Sequence, residues 1–130
     1  MTTIVALIGP IEYWWDTPDE PDRFNSQQAV EYRAWREILN DFLVREGFLV
    51  YRPHEAFKGA WDERAQRFND AIIEVCDLVM CMRPEGIPGK GTDHELDLAA
   101  KLGKPVIFTP PHIQLSFLHS WIHSDSWVVK

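Results

Sequence analysis

The stretch LVMCMRPEGIPGKGTDHELDLAAKLGKPVIFT, residues 78–109, contains one strand–loop–helix–strand unit. The apolar run 78–82 predicts a buried strand, and a glycine-rich loop over 86–91 leads to a helix that we predict over 93–102. Gly103 is a typical helix end, and residues 105–109 predict the next strand. This unit places Glu95 in a short helix directly after a loop with little side-chain bulk, where a ligand can approach the backbone closely.

Strand and helix alternate in the same way along the rest of the chain. Further strands are predicted at 4–8, 48–51 and 127–129, and further helices at 26–46, 61–75 and 113–122. The apolar positions expected to face the core are Val30, Trp35, Ile38, Leu39, Phe42 and Leu43 in the first helix, and Phe68, Ala71, Ile72 and Val75 in the second. The alternation predicts an α/β three-layer sandwich with a five-stranded parallel sheet of order 2-1-3-4-5, in one domain over 1–130.

The composition excludes several classes of protein. A net charge of −7 argues against a sequence-independent nucleic-acid binder, which needs a basic surface. No apolar run approaches the roughly 18 residues of a membrane span, and the N-terminal residues predict a first strand rather than a signal peptide. Cys76 and Cys81 match neither a metal motif nor a redox dithiol, so we expect two buried thiols in a reducing, cytoplasmic compartment.

Two unusual loops fall at one edge of the predicted sheet. Ligands of such sheets bind beyond the carboxyl ends of strands 1 and 3, where the connections diverge to opposite faces. Strand 1 leads into Gly9-Pro10 and an acidic loop with Tyr13, Trp14 and Trp15, and strand 3 leads into the glycine loop and Glu95. Loops of this length in compact domains usually cover or bind something. We therefore expect the functional site at this edge.

Two interpretations of Glu95 are open at this point. Thr92 and Glu95 have the spacing of a capping box, in which Glu95 only stabilises the start of its helix. In the other interpretation, the helix dipole and nearby amides keep the Glu95 carboxylate ionised and fixed. A fixed carboxylate of that kind can act as a covalent catalyst at a sugar carbon.

The other candidate residues also have two interpretations each. Asn69 and Asp70 are either a solvated pair or an edge of the buried stripe, where Asp70 serves as a general acid or holds a sugar hydroxyl. His54, after strand 2, is either an exposed loop residue or part of the ligand edge. Trp14 either stacks on a planar base or packs against a partner subunit. His119 and His123, with Asp125 nearby, are spaced for a metal but lack a convincing third ligand, so we expect no metal.

Three short motifs are spread over residues 4–108. They are Ile8-Gly9-Pro10, the pair Asn69-Asp70 before residues 76–80, and Gly91-Thr-Asp-His-Glu95-Leu96 before residues 103–106. Together they resemble the nucleoside 2-deoxyribosyltransferase-like family, which includes related nucleotide N-glycosidases. The resemblance implies a flavodoxin-like, Rossmann-like sheet, in agreement with the fold predicted above.

The resemblance also implies roles for individual residues. Glu95 would be the nucleophile at the anomeric carbon, Asp70 would assist the departing base or position Glu95, and Tyr13 would orient Glu95. His54 would help to bind a 5′-phosphate. The implied contacts to the sugar, base or phosphate are Gly9, Pro10, Trp14, His54, Asn69, Gly89, Gly91 and Thr92. The chain departs from the family at Asp97, where glycine is usual, and at Pro10-Ile11-Glu12, whose acid would repel a phosphate.

The implied activity is cleavage of the N-glycosidic bond of a (deoxy)nucleoside or nucleoside 5′-monophosphate through a covalent glycosyl-Glu95 intermediate, without a cofactor. Transfer to a second base or to water completes the reaction. The alternatives are a non-catalytic nucleotide-binding module on the same sheet and a scaffold in which Glu95 is only a cap. Six tryptophans in a small domain, together with the resemblance, lead us to expect a homodimer or larger homo-oligomer.

Overall fold

The computed structural model describes residues 3–10, 25–52, 63–83, 89–109 and 115–124, which form four strands and four helices. The strands are β1 Ile4–Ile8, β2 Leu49–Tyr51, β3 Leu78–Cys81 and β4 Val106–Phe108. The helices are α1 Gln27–Arg45, α2 Glu63–Val75, α3 Lys90–Lys101 and α4 Leu115–Ile122. All neighbouring strands pair in parallel, in the order β2-β1-β3-β4.

This sheet confirms the predicted α/β class and the order 2-1-3-4. The fifth predicted strand, 127–129, lies outside the described residues, so the described sheet has four strands. Cys76 and Cys81 are buried free thiols, as expected. None of the helices in the described parts of the chain is long and apolar enough to cross a membrane.

The two faces of the sheet are covered by different helices. Alternate residues of β1 point to opposite faces: Val5 and Leu7 join a cluster with side chains of α1 and α4, and Ala6 and Ile8 join a cluster with α2 and α3. The helix after β1 and the helix after β3 therefore lie on opposite faces. Sheets with such a divergence bind their ligands beyond the carboxyl ends of the two strands, here β1 and β3, and this is the edge where the sequence predicts the site.

The apolar stripe predicted for α1 is partly wrong. Leu39, Phe42 and Leu43 are buried as expected, but Val30 and Ile38 are 49% and 43% exposed. The buried face instead follows the spacing of positions 29, 32, 36, 39 and 43, which brings a tyrosine and an arginine into the core. Apolar periodicity does not reveal this face because one of its central residues, Arg36, is charged.

The stripe predicted for α2 is displaced by one position. Phe68, Ala71 and Val75 are exposed, whereas Ala65, Asn69 and Ile73 are buried. Asn69 therefore lies on the helix face that packs against the sheet, between Ala65 and Ile73. A buried amide needs hydrogen bonds, and Tyr51 donates one to the amide oxygen of Asn69.

A buried hydrogen-bond network joins α1 to the ends of β1 and β3. The Tyr32 hydroxyl donates to the carbonyl oxygen of Met82 at 2.9 Å, and Arg36 Nη1 donates to the Tyr32 oxygen at 3.1 Å. Arg36 Nη2 also donates to the carbonyl of Leu7. Gly9 lies against this network, where a Cβ atom would overlap the Tyr32 hydroxyl and the Met82 carbonyl. The absence of a side chain at position 9 is thus a packing requirement.

We expect Gly9→Ala to lower the free energy of unfolding by at least about 3 kcal/mol, because a methyl group must displace a hydrogen-bonded side chain and a backbone carbonyl. Gly47→Ala is the matched control: Gly47 has a φ of +92° but open space around it, so only backbone strain of about 1 kcal/mol applies. Urea unfolding of both variants measures the difference. Equal losses would contradict the close packing at Gly9.

Candidate active site

Glu95 lies in the second turn of α3 and is buried, with only 4% of the residue exposed to solvent. The helix begins at Lys90, three residues before the predicted start, and its N-cap is Gly89 without a side-chain cap bond. Glu95 is therefore the sixth helical residue and lies too far along the helix to reach back to the cap amide. The capping-box interpretation of Thr92 and Glu95 is wrong.

Burial also changes the charge expected at Glu95. Desolvation, followed by the nearby charge of Asp70, raises the pKa of Glu95 from its ordinary 4.5 to about 7. His94, Arg36 and Asn69 act in the opposite direction and only partly offset this effect. The structure therefore argues against a carboxylate whose ionisation the helix dipole secures, because burial favours the protonated form of Glu95.

Two buried polar atoms at this position lack a hydrogen-bond partner among the described residues. They are Oε2 of Glu95 and Nδ2 of Asn69, an acceptor and a donor. Buried polar groups in folded proteins are nearly always paired, and the exceptions concentrate where a ligand or water completes the bonds. The Asn69 amide nevertheless faces Glu95 closely enough to lower the pKa of that carboxyl, so the two groups are directed at each other at the carboxyl end of the sheet.

Tyr51 fixes the orientation of the Asn69 amide. Tyr51 is the last residue of β2, and its hydroxyl donates to Asn69 Oδ1 at 2.9 Å. With its oxygen engaged in this way, Asn69 presents its NH₂ group as the unused donor. Burial, together with the charge of Glu95, raises the pKa of Tyr51 to about 12, so the hydroxyl keeps its proton and remains the donor.

Asp70 connects α2 to α3 through His94. The Nε2 atom of His94 lies 2.9 and 3.0 Å from the two Asp70 oxygens, and Gln66 donates to Asp70 Oδ1 at 3.2 Å. Asp70 is partly buried, so the interpretation as a fully solvated pair with Asn69 does not hold. Its charge acts on Glu95, and the structure therefore brings Asn69, Asp70 and Glu95 together as the sequence predicts.

Arg83 holds the entry into α3. Its Nη2 atom donates to the carbonyl of Gly89 at 3.1 Å and pairs with Asp93 Oδ1 at 2.8 Å. Thr92 is buried beside this point, and a Cβ atom on Gly89 would lie 3.2 Å from its hydroxyl oxygen. Gly91 is partly buried in the first turn. These residues place the first turn of α3 at the carboxyl end of β3.

The remaining predicted residues divide into two groups. Gly9 and Pro10 are buried at the end of β1, with Gly9 against the Tyr32 hydroxyl. Tyr13, Trp14 and His54 lie outside the described residues.

Sequence reasoning missed three residues that organise the site: Tyr51, Arg83 and His94. The available signal for Tyr51 and Arg83 was their position at or just beyond the carboxyl ends of predicted strands. His94 lies inside the motif that contains Glu95, but its partner Asp70 is 24 residues away in the chain. No local spacing rule pairs two residues at that separation.

We expect Glu95→Gln to stabilise the protein at pH 8. Between pH 4.5 and about 7 the folded chain retains a proton that the unfolded chain releases, so the free energy of unfolding falls as pH rises through this range. The shift corresponds to roughly 3 kcal/mol, which the variant avoids. Denaturant unfolding at pH 5 and pH 8 measures the difference, with the exposed Glu74→Gln as a control. A variant less stable than the parent at pH 8 would refute the assignment.

A scan of protein-family models and a search of curated proteins found no match to this chain. The functional interpretation is therefore carried by the arrangement of Glu95, Asn69, Asp70 and Tyr51.

Proposed function

We propose that this protein cleaves the N-glycosidic bond of a (deoxy)nucleoside or nucleoside 5′-monophosphate, with Glu95 as the nucleophile. One observation carries the proposal: a buried carboxyl group with an unpaired oxygen faces the Asn69 amide and lies near a second carboxylate, that of Asp70. This arrangement stands at the switch point of a parallel sheet, where such folds bind their ligands. The family resemblance of the surrounding motifs supplies the reaction.

The reaction proceeds in two displacements. The ionised Glu95 attacks C1′ of the sugar, a C1′–O bond forms, and the C1′–N bond breaks with its electron pair moving to the base. The departing base takes up a proton. Water or a second base then attacks C1′ and gives up a proton to the Asp70–His94 pair, which replaces the one taken by the first base, while the ester bond to Glu95 breaks and the carboxylate is restored. Water gives a free sugar, and a second base gives a new nucleoside.

The neighbouring residues suit supporting roles in this reaction. The Nε2 atom of His94 lies 2.9 Å from Asp70, so the two side chains can relay a proton to the departing base. The Asn69 amide, oriented by Tyr51, can hold Glu95 or a sugar hydroxyl. Thr92 and the amides at the start of α3 suit a 5′-phosphate or sugar oxygen. Roles for Gly9, Pro10, Tyr13, Trp14 and His54 stay predictions, as does assembly into a homo-oligomer.

The burial of Glu95 has a chemical benefit for a nucleophile. A carboxylate stripped of water reacts more readily than a solvated one, provided that it is ionised when the substrate binds. The positive charge that develops on the sugar in the transition state favours that ionised form. The group is then charged during the reaction although its pKa in the free protein is near neutrality.

We expect base release to depend on Glu95. Glu95→Ala should lower the rate by at least about a thousandfold, and Asp70→Asn by a smaller factor, whereas the exposed Glu74→Gln should keep the parent rate. Chromatography of a panel of nucleosides and 5′-monophosphates, each with and without a second free base, measures release and transfer. Full turnover by folded Glu95→Ala would remove the nucleophile assignment. Saturable ligand binding without base release by the parent would favour the non-catalytic binding module.

We expect kcat/KM for base release to rise with pH and level off above about 7, since only the ionised Glu95 attacks. Below that value the rate should fall close to tenfold for each pH unit. Steady-state rates between pH 5 and 9 test the profile on the best substrate of the panel. A rate that instead falls as pH rises through 7 would make Glu95 a general acid.

A further inference from the structure

Two histidines and a glutamate meet at the edge of the sheet opposite to Glu95. Glu46 is the first residue after α1, His119 lies in α4, and His123 follows the end of α4. The Nδ1 atom of His119 lies 3.1 Å from Glu46 Oε1, and the Nε2 atom of His123 lies 2.9 Å from Oε2. One ligand atom of each residue lies within 4.8 Å of the other two.

The local backbone explains why these side chains converge. The amide of His123 donates to the carbonyl of His119 at 3.1 Å, so the helical turn continues and both rings project from one face, with centroids 4.4 Å apart. The amide of Glu46 donates to Phe42 O, which fixes the end of α1. The sequence shows the histidine pair, but its third partner is 73 residues away from His119.

We propose that Glu46, His119 and His123 bind a divalent transition-metal ion, and that zinc is the preferred ion. Imidazole nitrogens and one carboxylate are the ligands that zinc prefers, whereas magnesium and calcium take oxygen ligands. Ligand atoms about 2.0–2.1 Å from a tetrahedral zinc lie roughly 3.3 Å from one another. The distances of 2.9 and 3.1 Å between the glutamate and the rings are close to that spacing, so a small outward movement of the side chains admits the ion.

The site is open to solvent. Both histidine side chains are 53% exposed and that of Glu46 is 22% exposed, so an ion reaches the three ligands without opening the core. In the absence of metal, the two rings hold the Glu46 carboxylate by hydrogen bonds, which lower the pKa of Glu46. A zinc ion replaces the protons that these contacts share, and water completes its coordination.

The position of the site indicates a structural role. Glu46 lies in the turn before β2, at the edge where the parallel strands begin, whereas Glu95 lies where they end. The helix that carries His119 packs on the sheet through Leu118 and Ile122, in the same cluster as Phe42 and Leu43 of α1. A metal ion at this point fastens α4 to the end of α1. It does not take part in the reaction proposed at Glu95.

The test uses the full chain, stripped of metal with a chelator and titrated with zinc chloride. We expect one zinc ion per chain by equilibrium dialysis, no comparable uptake of magnesium, and a rise in Tm. At a hundredfold excess over Kd, the rise should be roughly 10 °C for a chain of this size. Cobalt chloride should give the visible absorption of a bound, low-symmetry cobalt ion. Absence of stoichiometric zinc uptake by the parent chain would overturn the proposal.

Variants locate the binding. Glu46→Gln and His123→Ala should each lose the zinc-dependent rise in Tm and the cobalt spectrum, while circular dichroism in chelator confirms that both are folded. Ser120→Ala, an exposed neighbour on α4, and His94→Gln, a histidine elsewhere, should keep both signals. If either cluster variant is unfolded, His119→Ala replaces it. Zinc uptake that is unchanged in the folded cluster variants would assign it to other residues and overturn the proposal.

Discussion

The buried pair of Tyr32 and Arg36 is the constraint on which the ligand edge of this protein depends. A buried arginine needs hydrogen-bond acceptors, and here its two terminal nitrogens donate to the Tyr32 oxygen and the Leu7 carbonyl. The Tyr32 hydroxyl also bonds the carbonyl of Met82, so side chains of α1 hold the backbone at the carboxyl ends of both β1 and β3. The Arg36 cation also lies near Glu95 and lowers the pKa of that carboxyl against the larger effect of burial.

The sequence predicts the features of the fold that depend on local patterns and misses those that depend on contacts between residues distant in the chain. The alternation of apolar strands and helices was enough to give the parallel sheet and its order, because chain direction and short connections leave few alternatives. The buried faces of α1 and α2 could not be read in the same way. Arg36 and Asn69 lie inward because Leu7 and Tyr51, distant in sequence, satisfy them. Apolar periodicity does not detect polar residues that are paired across the core.

In the candidate site, too, the sequence predicted the location of the key residue but not its environment. The position of Glu95 at this edge followed from the loop positions in a parallel sheet. Asp70 was placed there as the edge of the apolar stripe predicted for α2, although that stripe is itself displaced. The environment of Glu95 did not follow, because α3 begins at Lys90 and moves Glu95 from the solvated first turn into the second. Burial then outweighs the helix dipole, which fades within the first turn. The pKa of Glu95 is thus set mainly by packing around its side chain, which the motif that contains it does not reveal.

The energetics of Glu95 favour a functional over a structural role. A capping glutamate would stabilise the fold, but this one makes no cap bond and holds an unpaired, buried oxygen. Its ionisation at neutral pH costs stability, whereas a neutral residue of the same shape would avoid that cost. Chains tolerate such a group where chemistry or binding requires a carboxyl group with little water around it. Asn69 strengthens this argument, because Tyr51 holds its amide oxygen and its NH₂ group faces the Glu95 carboxyl.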